Sequence, residues 1–239
     1  MKASLKLVLD IVMGAVIPIL ILNYLTTRLG AVNAYLLAAL VPVSWVFIDL
    51  FFITRRFNVI TSYVGLSAIV RGMLAFWLVD GWLFAIKDSA GFIVAIIVFG
   101  ATVVLNRPMM RAFLLQGLNP DTPAKAQGLT NLFHIPEVNR ALMLGTIIVL
   151  INHTLSGGAN FILNLVMVLS PFGTEAFNFE VASVNAITRI ALTIPEMVSF
   201  SIAFWLFYRA SFKHLPSEAG KHQLESDFWD LVAMREGAE

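Results

Sequence analysis

The sequence predicts an all-α polytopic membrane bundle of six transmembrane helices, and three observations carry that expectation. Hydrophobic residues make up 59% of the 239, with mean hydropathy +0.83. Only 13% are charged, about half the roughly 25% of a soluble domain. The apolar residues also gather into six runs near the ~20 residues a helix needs to cross a bilayer.

The runs are Leu5–Leu25, Asn33–Ile53, Val59–Val79, Ala90–Leu105, Ala141–Val168 and Val181–Tyr208. Lys2 and Lys6 ahead of the first run look like the start of a signal peptide. The run, however, continues to Tyr24 and no small-residue cleavage site follows, so it is expected to be the first span. The fourth run is short. The fifth is long and is expected to kink or break at Ser156-Gly157-Gly158, because glycine weakens a helix. Two inverted three-helix halves are compatible with this count, although no match between the halves is visible.

Basic residues set the orientation. With the N-terminus in the cytoplasm, twelve of the sixteen lysines and arginines fall on the cytoplasmic side: Lys2, Lys6, Arg55, Arg56, Arg107, Arg111, Lys125, Arg140, Arg209, Lys213, Lys221 and Arg235. Arg28 and Lys87 fall outside, and Arg71 and Arg189 lie within helices. Both ends are therefore expected in the cytoplasm. Residues 1–210 form the transmembrane domain, with a cytoplasmic loop at 106–140, and residues 211–239 form a tail. In the loop, Pro108 to Leu115 is expected to make a short interfacial helix, and Asn119-Pro120-Asp121-Thr122-Pro123 a turn. In the tail, Leu224, Phe228, Leu231 and Val232 follow helical spacing among Glu225, Asp227, Asp230 and Glu236. Anionic lipid would repel that acidic face, so the tail is expected to dock on the protein's own basic loops or on a partner.

The net charge of +1 gives no reason to expect nucleic acid. The absence of cysteine excludes disulfides, thiolate metal sites and cysteine nucleophiles. Haem held by two histidines needs two deep in the bundle, and only His153 of the four qualifies. No metal-ligand cluster or phosphate-binding loop is visible, so no cofactor is expected.

Charge inside a membrane helix costs at least about 2.5–3.5 kcal/mol and needs a partner, water or a purpose. Arg71 lies twelve residues past Val59 and Arg189 eight past Val181, about 18 Å and 12 Å along their helices. Because the two helices run in opposite directions, both arginines are expected at similar heights in the outer half of the bilayer. Asp10 and Asp49 fall in the cytoplasmic half and Glu196 near the middle. Asn185, Arg189 and Glu196 share one helix face; His153, Asn160 and Asn164 share another. Mutual satisfaction is one reading: Arg189 with Asn160 or Asn164, Glu196 with His153, and Asp49 with Arg56. The other makes Arg71, Arg189 and Glu196, with His153, Asn160 and Asn164, an anion- or substrate-binding set reached by a polar track through Asp10 and Asp49. Gly14, Gly65, Gly72 and Gly100 are expected to be packing notches. Ser67 in Gly65-Leu66-Ser67-Ala68, with His153, has the residue types of the Ser–His dyad of rhomboid proteases, but Ser67 falls toward the wrong face.

Lys87-Asp88-Ser89, Asn106-Arg107-Pro108-Met109, Asn178-Phe179, Tyr208-Arg209 and His214-Leu215-Pro216 stand between or beside the spans. With the helix spacing, they resemble the intracellular septation protein A-like group of bacterial inner-membrane proteins. The resemblance covers Leu5 to Pro216 and implies a non-enzymatic role in envelope maintenance or division, acting through envelope partners or lipid. It implies no catalytic residues. The expected partners are the bilayer, an anionic lipid or small solute, and other envelope proteins, with an oligomer left open. A small anion transporter or channel is the second reading, and an intramembrane hydrolase using Ser67 and His153 a remote third.

Overall fold

The computed structural model describes residues 3–55, 58–217 and 226–238, and among them there is no strand. Lys2, Arg56, Lys221, Leu224 and Glu225, which entered the expectations above, lie outside the described residues.

Helix α1 starts at Ala3–Ile11 and runs to Thr26–Leu29, interrupted by π-helical turns at Val12–Val16 and Ile21–Leu25. Gly30, at φ 79°, turns the chain into α2, Ala31–Ile48, which ends in a further π turn, Asp49–Thr54. A capping box starts α3, Val59–Ala75: the Asn58 side chain accepts from the Thr61 amide at 3.0 Å, and the Thr61 hydroxyl accepts from the Asn58 amide at 2.8 Å. Then come α4 (Gly81–Asp88), α5 (Ala90–Val104), α6 (Met110–Leu118), α7 (Pro123–His134), α8 (Pro136–Met167), α9 (Glu175–Ala191), α10 (Thr193–Phe212) and α11 (Phe228–Ala238).

Four stretches are long and apolar enough to cross a membrane: Val8–Leu29, Ala31–Thr54, Pro136–Met167 and Glu175–Phe212. The pair α4 and α5, bent by 48°, makes a fifth if counted as one span. At 17 residues α3 is shorter. It stops at Ala75 instead of Val79, because the chain turns at Trp77, whose carbonyl accepts the Lys87 ammonium.

The expected break at Ser156-Gly157-Gly158 does not occur: α8 is one helix of 32 residues. Gly157 serves contact, since a Cβ there would lie 2.9 Å from Cβ of Phe92. The last predicted span is instead two helices separated at Leu192. Pro195 stands in the first turn of α10, where its missing N–H costs a helix least. Of the four glycines read as notches, Gly65 and Gly72 face Leu50 and Val43 at 3.8 Å and 3.1 Å, whereas Gly14 and Gly100 face nothing within 4 Å.

The chain divides into two compact units, Met1–Ile97 with His153–Pro195, and Val98–Asn152 with Glu196–Glu239. Tyr35, Phe84 and Phe177 meet in the core of the first, with Phe84 and Phe177 edge-to-face at 5.0 Å. In the second, α8 and α10 approach closely at Gly145, where a Cβ would lie 2.9 Å from that of Ala203. The acidic tail helix α11 packs on α7, burying Leu231 and Val232 with Leu132 and Leu215. Asn131 donates to the Glu236 carboxylate at 2.7 Å, and the Lys125 ammonium stands 5.5 Å from the Trp229 ring centroid.

Candidate functional site

The first unit encloses a partly open cavity of ≈ 130 Å³. Arg71 of α3, Lys87 and Asp88 of α4, and Asn185 and Arg189 of α9 bring charge and amide donors to its wall. The remaining lining is apolar apart from the Tyr35 phenol, and comes from Gly14 to Leu22 of α1, Tyr35 to Val43 of α2, Leu74, Ala75 and Val181.

Each charged group has a local reason for its place. Arg71 lies over α5 at Gly91, where an added Cβ would come within 3.0–3.1 Å of the guanidinium. Among the described residues Arg71 forms no hydrogen bond and no ion pair. Arg189 donates through Nη2 to the Gly14 carbonyl at 2.7 Å. Gly14 sits inside the first π turn, and a π turn re-pairs the helix backbone and leaves carbonyls open to outside donors. Lys87, 6% exposed, donates to the Trp77 carbonyl and stands over Tyr35 at 4.7 Å, a cation–π contact.

Asp88 is held by α8. Asn160 and Asn164 both donate to its Oδ2, at 3.1 Å and 2.8 Å, and Asn160 also donates to Ser89 Oγ at 3.1 Å. The two asparagines therefore meet Asp88, and Arg189 donates to the Gly14 carbonyl of α1. Among the described residues Asp88 makes no ion pair, and its partners there are the two amides and not a cation.

The other sequence candidates lie elsewhere. Asp10 and Asp49 share Lys6, each at 3.1 Å; Trp45 Nε1 donates to Asp10 at 2.8 Å and the Thr54 hydroxyl to Asp49 at 2.9 Å. Lys6 therefore bridges both carboxylates, and Arg56, the partner expected for Asp49, lies outside the described residues. His153 is buried on α8, seven residues before Asn160. Glu196 belongs to the second unit and is not one of the described residues lining the cavity. Ser67 is half-buried and makes no hydrogen bond among the described residues, so the Ser–His pair has no geometry to support it. No group of three or more metal-ligating side chains occurs among the described residues.

Sequence reasoning missed Lys87 and Asp88 as site residues. The sequence places Lys87 outside, because the fourth apolar run begins at Ala90 and the 8-residue helix before it is too short to register as a span. The adjacent Lys87-Asp88-Ser89 next to an apolar run was the available signal.

No protein-family model, curated protein or solved structure matches the chain.

Proposed function

We propose that this is a six-crossing protein of the bacterial inner membrane, with both ends in the cytoplasm, that binds an anionic group in the cavity of its first unit. It serves envelope maintenance or division through that lipid or solute, not through bond-breaking chemistry. The crossings are α1, α2, α3, the bent α4–α5 pair, α8 and the α9–α10 pair. At 17 residues α3 spans about 26 Å, against a hydrocarbon core of about 30 Å, a mismatch that local thinning absorbs. An even count puts both ends on one side, and the basic residues favour the cytoplasm.

The observation that carries the reading is that Arg71, which makes no hydrogen bond or ion pair among the described residues, lines one cavity with Lys87 and Arg189. An arginine within a membrane-crossing helix is costly and marks a site, and its planar fork suits oxyanions. The test uses the full chain in phosphatidylcholine nanodiscs, with ionic strength held by gluconate. Phosphate should raise the unfolding temperature, and Arg71→Leu or Arg189→Leu should abolish the rise. If no small anion and no anionic lipid shifts the wild type, the reading fails. An anion that binds without dependence on either arginine also refutes it. An envelope protein isolated with the chain from its native membrane would favour the alternative in which partners carry the function.

A further inference from the structure

We infer that the bound anion is the phosphate headgroup of an anionic membrane lipid, which enters the cavity from the hydrocarbon side. The inference rests on the anion-binding reading above and names the source of its ligand.

The mouth of the cavity comes first. Of the described residues that line it, only Arg71 and Arg189 are exposed; the others are buried or half-buried. A residue that lines a cavity and also reaches the surface stands at its opening. The two arginines therefore mark the mouth.

The surface around that mouth is apolar. From Tyr63 to Ala75, α3 exposes Val64, Leu66, Ile69 and Met73, and Arg71 is the one polar side chain exposed among them. From Val184 to Ala191, α9 exposes Ala186, Ile187, Ile190 and Ala191 beside Arg189. Met73 is 72% exposed and Ile190 71%. On helices read as membrane crossings, such belts face acyl chains. The mouth opens on lipid.

Depth favours a lipid over a solute. Gly72, next to Arg71, faces Val43, midway along the Ala31–Thr54 crossing. A solute reaches that level only in water that follows an arginine into the bilayer. A lipid already lies in the plane, and its chains hold its phosphate against the protein. The shortness of α3, 17 residues, thins the bilayer locally and draws headgroups toward Arg71.

The cavity fits a headgroup and not a whole lipid. At ≈ 130 Å³ it is smaller than the ~300–1,000 Å³ of sites that enclose a small molecule, so the chains stay in the bilayer. Arg71 has its fork uncommitted among the described residues, and Gly91 leaves room for it. A guanidinium grips two phosphate oxygens at once. Asn185, half-buried behind the mouth, adds an amide. The ammonium of a zwitterionic headgroup would stand against the Arg71 guanidinium, and like charges in contact reject a ligand. An anionic headgroup avoids that repulsion.

The test measures the unfolding temperature of the full-length protein in nanodiscs of phosphatidylcholine, alone and doped with phosphatidylglycerol. Doping should raise the unfolding temperature with no solute present. Added phosphate should then raise it no further, because the site is already filled. Arg71→Leu should lose the rise with phosphatidylglycerol. The chain has no cysteine, so Met73→Cys places a single nitroxide label beside the mouth. Its relaxation should respond more to oxygen, which concentrates in hydrocarbon, than to a water-soluble nickel chelate. That measurement needs neither a ligand nor an arginine variant.

Phosphatidylglycerol that leaves the wild type unchanged, while phosphate still stabilises it, overturns the lipid source and leaves the anion-binding reading standing. Equal stabilisation of wild type and Arg71→Leu by phosphatidylglycerol reports a bulk bilayer effect and also overturns the inference. A label relaxed more by nickel than by oxygen overturns the lipid-facing mouth. A shift from neither lipid nor phosphate overturns both readings.

Discussion

Two adjacent glycines in α8 should respond to the same substitution with opposite signs. Gly157 and Gly158 lie in one unbroken 32-residue helix, where replacing glycine by alanine stabilises by about 1 kcal/mol through backbone entropy. Gly158 is exposed, with nothing within 4 Å of an added Cβ, so Gly158→Ala should gain roughly that amount. At Gly157 the same methyl would stand 2.9 Å from Cβ of Phe92 and 3.5 Å from its ring carbon Cγ. A Cβ is anchored to backbone and cannot swing aside, so α8 and α5 must separate. Overpacking of this kind costs about 1–3 kcal/mol. The propensity gain is common to both variants, so they should differ by that overpacking alone, about 1–3 kcal/mol, with Gly158→Ala the more stable. Reversible unfolding of the purified protein in mixed micelles, titrated with a denaturing detergent, reads the difference directly. Loss of stability in Gly158→Ala, or equal loss in both, would refute a continuous helix here and restore the break that the glycine pair suggests.

Lys6 stands between two carboxylates at 3.1 Å each, so Lys6→Met should destabilise more than Asp10→Asn. The magnitude should fall between the ~0–1 kcal/mol of an exposed pair and the ~3–5 kcal/mol of breaking a buried one, because all three side chains are part-exposed. Gly128→Ala places a methyl 2.6 Å from Val232 Cγ1 and should loosen α11 from α7, read as faster amide exchange at Leu231 and Val232 with unchanged exchange in the first unit. Gly91→Ala should displace the Arg71 guanidinium, now within 3.1 Å of the new methyl, and weaken anion binding severalfold at unchanged unfolding temperature. A reporter fused after Lys125 should report cytoplasm, and one after Lys87 should not; an external Lys125 would sink the proposed orientation.

The helical class was legible because hydropathy measures length and polarity directly, and those two quantities decide what lipid tolerates. The start of α3 was close for the same reason. What escaped was local geometry. The sequence reads glycine pairs as breaks, yet whether Gly157 interrupts a helix depends on whether a neighbour such as Phe92 fills the gap, which is a tertiary fact. The π turns in α1 left no signal in the apolar pattern of Val12–Val16, although they position the Gly14 carbonyl that receives Arg189. Helical spacing correctly put Asn160 and Asn164 on one face, but spacing along one helix cannot name the residue opposite. That residue is Asp88, at the end of a short helix that the ~20-residue criterion passes over.

The polar side chains of the first unit follow two different rules, and the contrast separates structural charge from functional charge. At the Asp10–Asp49 cluster every carboxylate has an opposite charge within 3.1 Å and a neutral donor beside it. Removing Lys6 leaves two carboxylates without a cation, so the cluster stabilises the fold and resists that substitution most. At the cavity the reverse holds. Arg71 has no bonded partner among the described residues, Asp88 is satisfied by amides instead of a cation, and Lys87 by a carbonyl and aromatic faces. Deleting Arg71 strands no carboxylate among the described residues. Arg71→Leu should therefore leave stability unchanged or improved while ligand binding is lost, whereas Lys6→Met should lose stability. A chain selected for packing alone would discard the first kind of charge, because in lipid it costs energy and returns no contact. The presence of Arg71 beside a cavity is the physical argument for the anion proposed above.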